Sequence, residues 1–114
     1  MRNPSERLRD ILEAIDRIER YAARGAGAFE KDELVQSWVV RHLQIIGEAA
    51  RALPPDVRER FPEIPWPQII GMRHILVHDY FEIDSQVVWD VVIRNLPELK
   101  SQVQAALKLF EEEP

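Results

Sequence analysis

The chain has 114 residues, enough for one domain, and 46% of them are hydrophobic, which is sufficient for a single core. It has no cysteine, so a disulfide framework and a thiolate metal site are both excluded, and its net charge of −5 argues against a protein that coats nucleic acid by bulk charge. No apolar run approaches the roughly 18 residues of a membrane span and no targeting segment opens the chain, so a cytoplasmic protein without membrane contact is expected.

Residues 5–24 read as an amphipathic helix. Leu8, Ile11, Leu12, Ile15 and Ile18 recur at steps of three and four, with Ser5 as the expected N-cap and Gly25-Ala26-Gly27 as the stop. A second helix is predicted from Asp32, as cap, to about Leu53. Its apolar face carries Val35, Trp38, Val39, Ile45, Ile46, Ala49 and Leu53. Gly47 lies inside it, where glycine costs about 1 kcal/mol against alanine; close approach of another helix is its expected use. Glu48 stands beside that smooth surface, within reach of a site.

Pro54-Pro55 ends the second helix, and one short helical turn is expected over 56–61. A proline-spaced connector follows. Trp66-Pro67 then reads as anchor and first turn of a third helix, Gln68 to about Val77. Asp84 caps a last long helix with Val88, Val92, Leu96, Leu99, Val103, Leu107 and Phe110 as its stripe. Pro97 should kink or restart it, and Glu111-Glu112-Glu113 should fray. With no strand alternation in view, the expected fold is all-α, an antiparallel four-helix bundle with an extra short helix, in a single domain over 1–114.

Chemistry concentrates in residues 69–81. Within eight positions of an apolar segment stand Arg73, His74, His78, Asp79 and Tyr80. His74 and His78 share one helix face at i and i+4, whereas Arg73 and His78 diverge on an unbroken helix and converge only if it frays near Val77-His78. A metal on the two histidines lacks further ligands, since His42 belongs to another helix with no spacing to connect it. A structural role pairs Arg73 with Asp79 or Glu48. A third reading is phosphate-ester chemistry without a metal. An imidazole, which titrates at about 6.5, exchanges protons at neutral pH, while a guanidinium holds a phosphate. The twelve arginines against three lysines leave room for such a local phosphate site, although most should pair with acids on helix surfaces. With the RNA 2′-hydroxyl as internal nucleophile, Arg plus His suffices for strand cleavage, and a two-fold dimer would place an imidazole on each side of the phosphorus.

Arg73-x4-His78-x-Tyr80 resembles the Arg-x4-His-x-Tyr motif of the HEPN superfamily, specifically its HepT-like toxins. The flanks are similar too: Ile46-Gly47-Glu48-Ala49, Ile64-Pro65-Trp66, Ile70-Gly71-Met72-Arg73, Leu76-Val77-His78-Asp79-Tyr80-Phe81 and Val88-Trp89. His74 stands where these relatives usually carry Asn.

The resemblance implies an α-helical homodimer whose motifs meet in a cleft between protomers. It implies a metal-independent ribonuclease without cofactor, acting on RNA as the toxin of a toxin–antitoxin module. The partner it implies is a minimal nucleotidyltransferase antitoxin that silences the toxin by moving AMP from ATP to the motif tyrosine. Carried over, Arg73 binds the scissile phosphate, His78 is the acid–base group and Tyr80 takes the AMP, with His74, Asp79 and Glu48 in support. AMP on Tyr80 would fill the phosphate pocket and repel RNA. The other reading of the residues is a non-catalytic helical subunit of a nucleotidyltransferase complex, with the cluster as a nucleotide or phosphate pocket.

Overall fold

The computed structural model describes residues 3–78 and 84–112, excepting the side chains of Val77 and His78. Its elements are α1 (Pro4–Ala22), α2 (Ala26–Lys31), α3 (Glu33–Ala52), α4 (Pro55–Glu59), α5 (Trp66–His78), α6 (Ser85–Asp90), a π-helical stretch Val91–Asn95, and α7 (Leu96–Glu112). No strand occurs among the described residues.

Local chemistry explains most boundaries. Asn3, not Ser5, caps α1: its side chain accepts the Glu6 N–H at 3.0 Å and Pro4 takes the first helical position, where no N–H is needed. Gly25, at φ 93°, makes the turn out of α1 that a residue with a Cβ would resist. The chain then forms the short helix α2, which the periodicity does not announce. Asp32 caps α3 through the Leu34 and Val35 N–H groups, as expected. Pro55 opens α4. Trp66 starts α5 two residues earlier than predicted and anchors it, buried and donating its indole N–H to the carbonyls of Arg58 and Phe61 at 3.1 Å.

The expected break at Pro97 takes a specific form. Pro97 has no N–H for the carbonyl four residues back and its ring crowds that position, so the preceding turn widens. The Leu96 N–H bonds Val91 O, five residues back, and α7 restarts at Leu96. α7 runs to Glu112 rather than fraying at Glu111, which pairs with Arg9 of α1.

α1 packs on α3 and α7, and α3 packs on α5. Leu8, Ile11, Ile15 and Ile18 of α1 meet Val39, Leu43 and Ile46 of α3 and Val103 of α7 in the fully buried centre. At the α1–α7 seam, Lys100 Nζ donates to Glu19 Oε1 at 2.7 Å; that hydrogen bond, and then the carboxylate's charge, raise the lysine pKa. α5 differs from the other long helices because its apolar residues go all the way round. Ile69 and Leu76 are buried, yet Ile75 is 54% exposed. A helix apolar on every side asks for a neighbour on every side.

Candidate active site

The site begins with a close helix crossing. Gly47 of α3 lies under Arg73 of α5, so a Cβ built at position 47 would overlap the arginine Cβ and sit 3.0 Å from its Cγ and 3.3 Å from its Cα. The expected use of Gly47 is therefore realised, and the residue it admits is the motif arginine. One position on, Glu48 Oε2 lies 2.9 Å from Arg73 Nε, while Glu48 Oε1 is 3.3 Å from Arg51 Nη2. Oε2 is cut off from solvent and receives no aligned hydrogen bond, so its contact with Nε is an ion pair whose N–H points off the axis. The carboxylate touches the arginine on its Nε side. That leaves the Nη edge, the half of the fork suited to two phosphate oxygens, uncommitted to Glu48. Of the two acids weighed as partners for Arg73, the structure supports Glu48. Asp79 lies outside the described residues, as does Tyr80.

Arg73 opens into a cleft of about 520 Å³ walled by α1 and α3. Arg7 and Arg17 of α1, Arg41 of α3, and His42 line it together with Arg73 and Glu48. The three arginines were not singled out in the sequence, and His42 was set aside there as a metal ligand. The arginines read there as ordinary surface partners, and Arg17 does pair with Glu13 at 2.5 Å. His42 is buried, its Nδ1 2.7 Å from Trp38 O and its ring 4.3 Å from the indole. The available signal was helical spacing: Arg41, Gln44, Ile45 and Glu48 share one face of α3, about a quarter-turn round the axis from Gly47.

His74 is exposed. The backbone of α5 stays helical through His78, so the fraying at Val77-His78 that would let Arg73 and His78 converge on one helix is not seen. Five residues of unbroken helix set positions 73 and 78 about 140° apart around the axis. The His78 side chain lies outside the described residues. No group of three or more His, Asp or Glu side chains converges among the described residues in a way that would hold a metal ion.

The family model described as "Ribonuclease HepT-like" matches residues 11–106. The chain belongs to this family. Among curated relatives, "Putative RNase TTE0752" of Caldanaerobacter subterraneus subsp. tengcongensis is 37% identical over 109 residues, covering 95% of this chain and 97% of its own. "Probable ribonuclease HepT" of Thermococcus cleftensis is 38% identical over 108 residues, covering 94% and 98%. "Putative RNase MJ1380" of Methanocaldococcus jannaschii is 41% identical over 98 residues, covering 85% and 90%. No solved structure gives a significant match. The HepT-like match spans α3 and α5 whole, and so includes the Gly47–Arg73 crossing. No helix among the described residues of this HepT-like chain is long and apolar enough to cross a membrane.

Proposed function

We propose that this HepT-like chain is a metal-independent RNA endonuclease, the toxin of a toxin–antitoxin module, working as a two-fold dimer of four-helix bundles. The observation that carries the reading is the seating of Arg73, fixed at its root by Gly47 and at Nε by Glu48, with the Nη edge left for a phosphate at the mouth of an arginine-walled cleft. Membership of a ribonuclease family supplies the substrate class.

The chemistry follows from the residue types. Arg73 holds the non-bridging oxygens of the scissile phosphate and balances the charge that grows as the phosphorus becomes five-coordinate. An imidazole at His78 takes the proton of the RNA 2′-hydroxyl, and O2′ attacks phosphorus. The bond from phosphorus to O5′ breaks, a cyclic 2′,3′-phosphate forms, and O5′ receives a proton from the imidazolium of a second copy. Two features support pairing of copies. Positions 73 and 78 lie on different sides of an unbroken α5. Ile75 and Val87, 54% and 59% exposed, also flank an apolar groove of about 590 Å³ between α5 and α6 that a second copy would cover.

Silencing is proposed as AMP transfer to Tyr80 by a minimal nucleotidyltransferase. The phenol oxygen attacks the α-phosphorus of ATP, pyrophosphate leaves, and the phenol proton goes to solvent. The added phosphate then competes for Arg73. The test is paired variants: Arg73→Ala and His78→Ala each abolish RNA cleavage and growth arrest while the protein stays folded and dimeric. Wild-type cleavage by the folded double variant refutes the reading and leaves the non-catalytic subunit.

A further inference from the structure

The cleft beside Arg73 is longer than one phosphodiester needs. Arg41 and Glu48 lie seven residues apart on one face of α3, about 10 Å along the helix, and across from them Arg7 and Arg17 lie about 15 Å apart on α1. The acids in the cleft wall neutralise some of these arginines and not others. Glu13 pairs with Arg17 and Glu48 with Arg73, whereas Arg41 is exposed and forms no ion pair among the described residues. Between the charges the floor is apolar, made by Ala14, Ile45 and Ala49. In a chain of net charge −5, four guanidinium groups against the three carboxylates of Asp10, Glu13 and Glu48 leave this cleft slightly cationic, a local exception that favours an anionic strand along that path.

We infer that the α1–α3 cleft is a subsite for the single-stranded RNA flanking the cut, with Arg41 as its principal phosphate contact and Arg7 as a second. The inference rests on the ribonuclease reading for its substrate, and it adds binding residues outside the Arg-x4-His motif. Cationic edges along an apolar floor suit a single strand, whose phosphates need charge and whose sugars and bases need apolar contact. A duplex has its bases already stacked and gains nothing from that floor. Arg41 stands off from the reacting phosphate, so it contributes to holding a long strand and not to the bond-breaking step.

The test uses the full-length protein and a labelled single-stranded oligonucleotide in which 2′-O-methyl groups prevent cleavage. Arg41→Gln and Arg7→Gln, both uncharged replacements of long side chains at the cleft wall, are compared with wild type. Each substitution should weaken binding several-fold and lower the slope of log affinity against log salt by about 0.7, the value of one single-strand phosphate contact. The parallel expectation is that Arg41→Gln raises KM for long RNA by a larger factor than it changes KM for a dinucleoside monophosphate, because that substrate has no flanking phosphate. Unaltered oligonucleotide affinity and salt slope in both variants overturn the subsite, even where wild-type protein cleaves RNA. Because the oligonucleotide cannot be cut, a failure of the ribonuclease reading shows up in the cleavage assay and a failure of the subsite in the binding assay.

Discussion

Gly47 and Arg73 are in van der Waals contact across the α3–α5 crossing, and the glycine is the reason that the arginine reaches its position. A methyl group at 47 has nowhere to go, because the atoms it meets are the root of the Arg73 side chain and its Cα rather than a flexible tip. Gly47→Ala gains about 1 kcal/mol in helix propensity but forces the crossing apart, at a cost of about 1–3 kcal/mol for an overpacked site. The expected net result is a modestly less stable protein with a displaced Arg73. Urea unfolding should show a small loss in midpoint, and RNA cleavage should fall by far more than the folded fraction does.

Glu48 is a positioning residue in this account. Its ion pair with Arg73 is half-exposed, so its contribution to stability is at most about 1 kcal/mol. Glu48→Gln should therefore leave the unfolding midpoint almost unchanged. The arginine, no longer tethered at Nε, should sample orientations unsuited to the phosphate, so kcat falls while KM stays level or drops. Glu48→Asp, shorter by one methylene, should recover part of kcat. Equal kcat in wild type and Glu48→Gln would remove the positioning role.

The packing of α3 on α5 was legible in the sequence because two residues announced it: a glycine inside a helix, and a glutamate next to it pointing at the same neighbour. Cap chemistry at Asp32 and the anchor at Trp66 were legible for similar reasons. Each is a residue whose local hydrogen bonding has few alternatives. Other features were hidden. Asn3 and Ser5 are both good caps, and only the position of Pro4 between them decides for Asn3. α2 is too short for periodicity to register. The arginines of the cleft looked like every other surface arginine, since what distinguishes Arg41 is that it lines the cleft without an ion pair among the described residues, and that is a property of the α1–α3 crossing.

The geometry of α5 predicts shared sites. Since an unbroken helix turns positions 73 and 78 away from each other, the arginine of one copy is expected to serve the histidine of another. Arg73→Ala and His78→Ala proteins, each inactive alone, should regain a measurable part of wild-type cleavage, at most about a quarter, when unfolded together and refolded. Half the dimers are then mixed, and one of their two sites keeps its guanidinium and one imidazole, with water as the slower proton donor to O5′ in place of the missing second imidazole. Absence of any recovery in verified mixed dimers would put both groups in one subunit.

Tyr80 carries the proposed silencing. Co-expression with a minimal nucleotidyltransferase should add one or more AMP masses to the peptide containing Tyr80 and abolish cleavage. Tyr80→Phe should stay unmodified and active in the same cells, because the phenol takes no part in the proposed cut. An unmodified Tyr80 in protein silenced by that partner would show that silencing works by another route, such as occlusion of the cleft.

The most direct measurement is incubation of purified, unmodified protein with RNA in a large excess of chelator, with Arg73→Ala as the control. The account predicts cleavage at the rate seen without chelator, products ending in a cyclic 2′,3′-phosphate, and no cleavage by the variant. Cleavage that stops on chelation, or that proceeds equally well without the Arg73 guanidinium, contradicts it.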